Sequence, residues 1–135
     1  MPATFEEMLA FVLAQLNAPI EQHIDEEGAS VMSSGDPGEV IVRLTESKVT
    51  VAAFAITWDQ SRALVEPIAI GTVNWAAVSA EAAMRVVRAL ISAARETRRS
   101  TFVVCSICER STPPERMYSD DECQDCAEAE PDVVH

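Results

Sequence analysis

The 135 residues are enough for one compact domain with a short appendage and too few for two full cores. Apolar residues make up 48% of the chain and aromatics only 5%, so an aliphatic core is expected, and no apolar run approaches the roughly 18 residues of a membrane span. A formal net charge of −12 disfavours phosphate backbones as partners.

Thr4 followed three residues later by Glu7 is a capping-box pattern, and Phe5, Met8, Leu9, Val12 and Leu16 then recur at helical spacing. A first helix over residues 4–17 follows, ended by Pro19, which disfavours helical geometry at the residue before it. The start, Met1 to Glu7, lacks the basic and apolar regions of an export signal, so a cytoplasmic location is expected.

Residues 20–34 carry a weak pattern that allows a short irregular strand near 29–33. The cluster from Ser33 to Gly38 reads as a loop. Beyond it Val40, Val42 and Leu44 alternate with Ile41 and Arg43, Thr45 to Lys48 turns the chain, and the run from Val49 to Trp58 completes a hairpin. Another polar turn, Asp59 to Arg62, leads into a third run, Ala63 to Val73, in which Pro67 suits an edge or a bulge.

Ser79 can cap a second, long helix lined on one face by Met84, Val87, Leu90, Ile91 and Ala94. Its end is rich in arginine. Arg95, Arg98 and Arg99 complement the partial negative charge of a helix C-terminus and can pair with an acidic surface, while Arg85 and Arg88 extend the basic stripe. The fold class expected is therefore α+β: a helix, a three- or four-stranded antiparallel meander and a long helix over residues 1–100, then a small zinc-binding module with an acidic tail over 101–135. The two parts carry net charges of −5 and −7.

The module is marked by Cys105, Cys108, Cys123 and Cys126, two C-x2-C pairs separated by 14 residues. Two residues between cysteines let one tight turn present both sulfurs to a tetrahedral Zn²⁺, and the intervening residues return the second pair to the first. Four thiolates and one dication leave a site charge of about −2. Val103 and Val104 read as a strand leading into the first pair, and Ala127 to Glu130 as a short helix behind the second. This order, a knuckle, a loop and then ligands at a helix start, resembles the treble-clef and zinc-ribbon group of four-cysteine modules. The segment Thr112-Pro113-Pro114-Glu115-Arg116-Met117 is similar to short bacterial cysteine tails in which a proline pair and a methionine pack beneath the metal. Many zinc ribbons bind nucleic acid through basic loops, whereas Asp120-Asp121-Glu122 makes this loop acidic.

With protein filling all four ligand positions, the metal would be structural, because hydrolytic zinc keeps one position for water. His23 and His135 read as surface residues, and the adjacent acidic pairs Glu6-Glu7, Glu26-Glu27 and Asp120-Asp121 as solvated surface; no catalytic motif stands out. Trp58 and Trp75 read as core or sheet-edge residues, either of which becomes an interface anchor if exposed. The function expected is that of a non-enzymatic, acidic interaction protein of adaptor, chaperone or immunity type, its partner another protein, with a homodimer left open. The order of elements is similar to that of the secretion-chaperone-like group. The alternatives are a nucleic-acid-binding regulator using the Arg85 to Arg99 helix and a thiol-based redox sensor.

Overall fold

The computed structural model describes residues 1–60 and 62–129. Helix α1 spans Phe5–Gln15, and its capping box is complete. Thr4 N–H donates to Glu7 Oε1 at 3.0 Å, and Glu7 N–H donates to Thr4 Oγ1 at 3.1 Å. The helix stops at Leu16, whose backbone is extended. Ser34 Oγ then holds Asn17, accepting from its N–H at 3.1 Å and donating to its carbonyl at 2.9 Å, which ties the helix exit to the sheet.

Seven strands follow: β1 (Ile20–Ile24), β2 (Ser30–Ser34), β3 (Val40–Leu44), β4 (Val49–Ala53), β5 (Ile56–Asp59), β6 (Arg62–Val65) and β7 (Ile68–Val73). Five of them form one antiparallel sheet in the order β1-β2-β3-β4-β7, while β5 and β6 pair only with each other. The α+β order is as expected, and the sheet is wider than a three- or four-stranded meander. Two features separate the strands from that expectation, and the first supplies the extra width. Residues 20–34 form a hairpin rather than a lone irregular strand, with β1 paired to β2 along its whole length. All of β1 except Ile20 is exposed, so this edge strand has no apolar alternation to announce it. The long runs 49–58 and 63–73 also each break in two, at Phe54-Ala55 and at Glu66-Pro67, and the inner pieces peel away as the β5–β6 hairpin.

Strands β2, β3 and β4 alternate between buried and half-buried residues, as expected where one face meets a core and the other meets solvent. Helix α2 (Ala80–Ser100) lies across the buried face over β3, β4 and β7, and α1 packs beside it. Ser79 caps it by accepting from Ala82 N–H at 3.2 Å. Its buried stripe is Ala83, Val87, Ile91, Ala94 and Arg98, at spacings of three and four residues. The stripe meets Val42, Leu44, Val49 and Val51, all fully buried, in one aliphatic core. The helix approaches β7 so closely that a Cβ on Gly71 would stand 2.7 Å from Leu90 Cδ2. Trp75 closes one end of the core, 3% exposed, with its indole N–H donating to the Thr45 carbonyl at 3.1 Å.

No helix among the described residues is long and apolar enough to cross a membrane. Beyond α2 come β8 (Val103–Val104), β9 (Ser111–Thr112), a single 3-10 turn at Pro114–Arg116 and the short helix α3 (Gln124–Ala129).

Candidate metal centre

The first cysteine pair sits in the loop of the β8–β9 hairpin, where Val103 faces Thr112 and Val104 faces Ser111. Cys105 N–H donates to the Arg110 carbonyl at 3.0 Å, and Glu109 N–H donates to the Cys105 carbonyl at 2.9 Å. These bonds fold residues 105–110 into a tight knuckle. Closing it takes Glu109 to φ 60°, the left-handed region that most side chains avoid. The second pair begins after an isolated bridge between Met117 and Cys123 and a turn in which Tyr118 and Ser119 both donate to the Glu122 carbonyl. Helix α3 starts directly after Cys123, so Cys126 falls in its first turn. Ser106 N–H donates to the Asp121 carbonyl at 2.7 Å and joins the two halves.

All four sulfurs converge. Their Sγ atoms lie within 4.8 Å of one another, with Cys105 to Cys126 at 3.7 Å and Cys108 to Cys123 at 3.8 Å. A tetrahedron with Zn–S bonds of about 2.3 Å has edges of about 3.8 Å. A disulfide brings its sulfurs to about 2.05 Å, far closer than any pair here. The four cysteines are free thiols, Cys105 and Cys123 buried and Cys108 and Cys126 half-buried. The donor set thus fits a metal ion such as Zn²⁺ in number, element and spacing. Among the described residues, no other group of His, Cys, Asp and Glu side chains converges in this way.

The surroundings favour anionic sulfur at two positions and resist it at a third. Backbone N–H groups of Cys108 and Cys123 directed at Cys105 lower its pKa to about 6, with a further contribution from Ile107 N–H. Ile107 N–H and Cys123 N–H both lie 3.4 Å from that sulfur. Cys108 is lowered chiefly by the Arg110 guanidinium, whose Nε donates to its sulfur at 3.4 Å. Cys126 moves the other way, pushed up by the neighbouring Cys123 side chain and by burial. Its place in the first turn of a helix favours a thiolate, yet crowding by the other sulfurs outweighs that effect at these distances. All four sulfurs could be anionic at these distances only around a central cation, which a dication would supply.

Below the sulfurs, Met117 and Val103 pack against Cys105 and Cys123. Of the segment that the sequence resemblance singled out, Met117 takes this packing place, whereas Pro113 is buried outside the sulfur cluster and Pro114 lines a surface groove.

The cysteine module is seated on the body through α2. Arg98, near the end of that helix, has a side chain only 1% exposed, and its Nη2 donates to Glu115 Oε2 at 2.5 Å. Its Nε donates to the Gly38 carbonyl at 2.8 Å. The guanidinium carbon lies 5.0 Å from the ring centroids of both Phe54 and Phe102, within cation–π range. Gly38 has to be glycine here, since a Cβ would fall 2.7 Å from the Phe54 ring. A second, exposed pair joins Arg116 to Asp36 at 3.1 Å.

Other residues singled out in the sequence are spread apart. His23 is an exposed residue of β1, and Asp25, beside the second acidic pair, bonds Arg43 Nε at 2.9 Å. His135 lies outside the described residues. Of the basic stripe, Arg98 is buried, Arg95 reaches back to the Gln15 carbonyl and toward Glu39, and Arg88 lies over the Phe11 ring. Sequence reasoning missed Arg110, two residues after Cys108, although a cation beside a C-x2-C pair is a readable signal. It also missed Arg98 as a buried anchor, for which the sequence offers no signal beyond its place in the buried stripe. Searches of protein-family models, of curated proteins and of solved structures return no match to this chain, so its chemistry is read from its own geometry.

Proposed function

We propose that this chain is a non-enzymatic protein-interaction protein in which Cys105, Cys108, Cys123 and Cys126 hold a structural zinc ion in a treble-clef-like module. The observation that carries the reading is the spacing of the sulfurs, 3.7 and 3.8 Å across two pairs, which matches a closed tetrahedral site with no position left for water or substrate. Zinc bound there acts as a fold-stabilising cross-link, and the module in turn extends the surface of the body. A site of four free thiols suits a reducing compartment such as the cytoplasm. A net charge of −12 suits a partner that is basic where it touches the chain. Nucleic-acid binding through the Arg85 to Arg99 stripe is disfavoured, because Arg98 and Arg95 are already engaged inside the protein.

The test is metal content. Purified reduced protein is expected to carry one zinc per chain, and Cys105→Ser or Cys126→Ser to lose most of it. Amide exchange over residues 102–129 should rise in both variants, while far-UV circular dichroism reports a persisting helix and sheet body. Stoichiometric zinc retained by both variants would overturn the ligand assignment.

A further inference from the structure

Two tryptophans in one small chain have opposite fates. Trp75 is 3% exposed and hydrogen-bonded, whereas Trp58 is 50% exposed on β5, the strand that leaves the main sheet. Its hairpin partner strand β6 also leaves Val65 exposed. Trp58 looks onto the cysteine module across a groove of about 460 Å³, whose far wall is formed by Pro114, Met117, Tyr118 and Asp120. Tyr118 is 66% exposed, so the groove presents an indole from the body and a phenol from the module.

The charge at this groove is one-sided. Residues 105–129 hold seven carboxylates and two arginines. Both arginines are committed, Arg110 to Cys108 and Asp125 and Arg116 to Asp36. Asp120 lines the groove and Asp121 follows it in the chain; both are exposed, and among the described residues neither forms an ion pair. Zinc bound by four thiolates makes the local charge more negative still. Aromatic faces beside uncompensated carboxylates suit a long cationic side chain, whose methylene stem lies on the rings while its charged end meets the acids. The same charge repels a second copy of this chain and any nucleic acid.

We propose that the groove between the β5–β6 hairpin and the cysteine module docks a basic segment of a partner protein, a lysine or arginine lying over Trp58 and Tyr118 with its charge toward Asp120 and Asp121. The proposal deepens the interaction role inferred above and rests on it. It also gives the module a task beyond stability, since Tyr118 and Asp120 face Trp58 only while residues 105–129 hold their fold.

The experiment uses the zinc-loaded full chain with nitrogen-15 label in its two indoles. The probe is an acetylated, amidated peptide of alternating alanine and arginine, set against its alanine–glutamate counterpart. The Trp58 indole resonance is expected to shift saturably with the arginine peptide alone, while the Trp75 resonance stays in place. Trp58→Ala should weaken the affinity measured by calorimetry about tenfold, as for an aromatic anchor. The pair Asp120→Asn and Asp121→Asn should weaken it severalfold and flatten its dependence on salt. Glu26→Gln with Glu46→Gln, at the opposite end of the sheet, should change neither.

Equal affinity in Trp58→Ala and the parent chain would overturn the proposal. So would a protein that sediments as a dimer and becomes monomeric on Trp58→Ala, which would assign the groove to a second copy. Metal content of the same samples separates the two readings. Full zinc without peptide binding sinks the groove alone, whereas peptide binding at Trp58 by protein that takes up no zinc on loading sinks the metal site alone.

Discussion

Glu115→Ala would leave Arg98 charged and buried without the carboxylate it now meets at 2.5 Å. Removing one partner of a buried ion pair costs about 3–5 kcal/mol, because the remaining charge loses its compensation and cannot easily regain water. Two features place this case near the lower end, at about 3 kcal/mol. The Glu115 side chain is 21% exposed, and Arg98 keeps the Gly38 carbonyl and two aromatic faces. The pair is also imperfectly satisfied, since Arg98 Nη1 and Glu115 Oε1 are buried with no hydrogen-bond partner. Removing both charges should therefore be milder than removing one. In Glu115→Ala with Arg98→Met, the thioether can lie between Phe54 and Phe102, and the double variant should recover about 1–2 kcal/mol relative to Glu115→Ala alone. Urea unfolding of the zinc-loaded protein, followed by far-UV circular dichroism, measures all the stabilities in one cycle. If the double variant proves less stable than Glu115→Ala, Arg98 contributes through its packing or its other bonds, and the argument from an uncompensated charge fails.

Ile91→Ala, at a core position 1% exposed, should cost about 2–5 kcal/mol in the same assay and leave zinc content unchanged. A loss under about 1 kcal/mol would mean that α2 is not packed as described. Asp25 is held below the ordinary aspartate value of 3.8, first by its hydrogen bond from Arg43 and then by Ala29 N–H. A depressed carboxylate contributes stability above its unfolded value and loses it as pH falls through its folded value. Asp25→Asn should therefore flatten the acid limb of the stability curve below about pH 4 and leave its slope near neutrality unchanged. An unchanged acid limb would show that this pair does not govern the acid response.

The folded surroundings of the metal centre also account for features that four cysteines alone do not. The knuckle needs Glu109 in a left-handed conformation, yet the sequence places no glycine there. The chain tolerates this because Glu109 N–H is bonded to Cys105 and the neighbouring backbone is fixed at both ends of the loop. Arg110 offsets part of the charge at Cys108, and Met117 removes one side of the sulfur cluster from water. A cluster of this kind is supported from beneath as well as by the ion it could hold.

Local chemistry was enough to read the two helices and the cysteine cluster from sequence. Thr4 with Glu7, and Ser79 before its apolar stripe, are signals contained within a few residues, and two C-x2-C pairs have few uses besides a shared ion. What lay beyond the sequence depended on distant neighbours. Strand β1 exists because β2 offers it a hydrogen-bonding edge, not because its own side chains seek burial. The runs 49–58 and 63–73 look continuous, but α2 covers only part of their length, so the ends nearest the β5–β6 turn leave the sheet and expose Trp58. Arginine on a helical stripe reads as surface until a carbonyl, a carboxylate and two rings from four separate segments converge on Arg98. Caps and ligand spacings are set by neighbours along the chain, whereas edge pairing, exposure and buried charge are set by neighbours in space, which only the folded chain brings together.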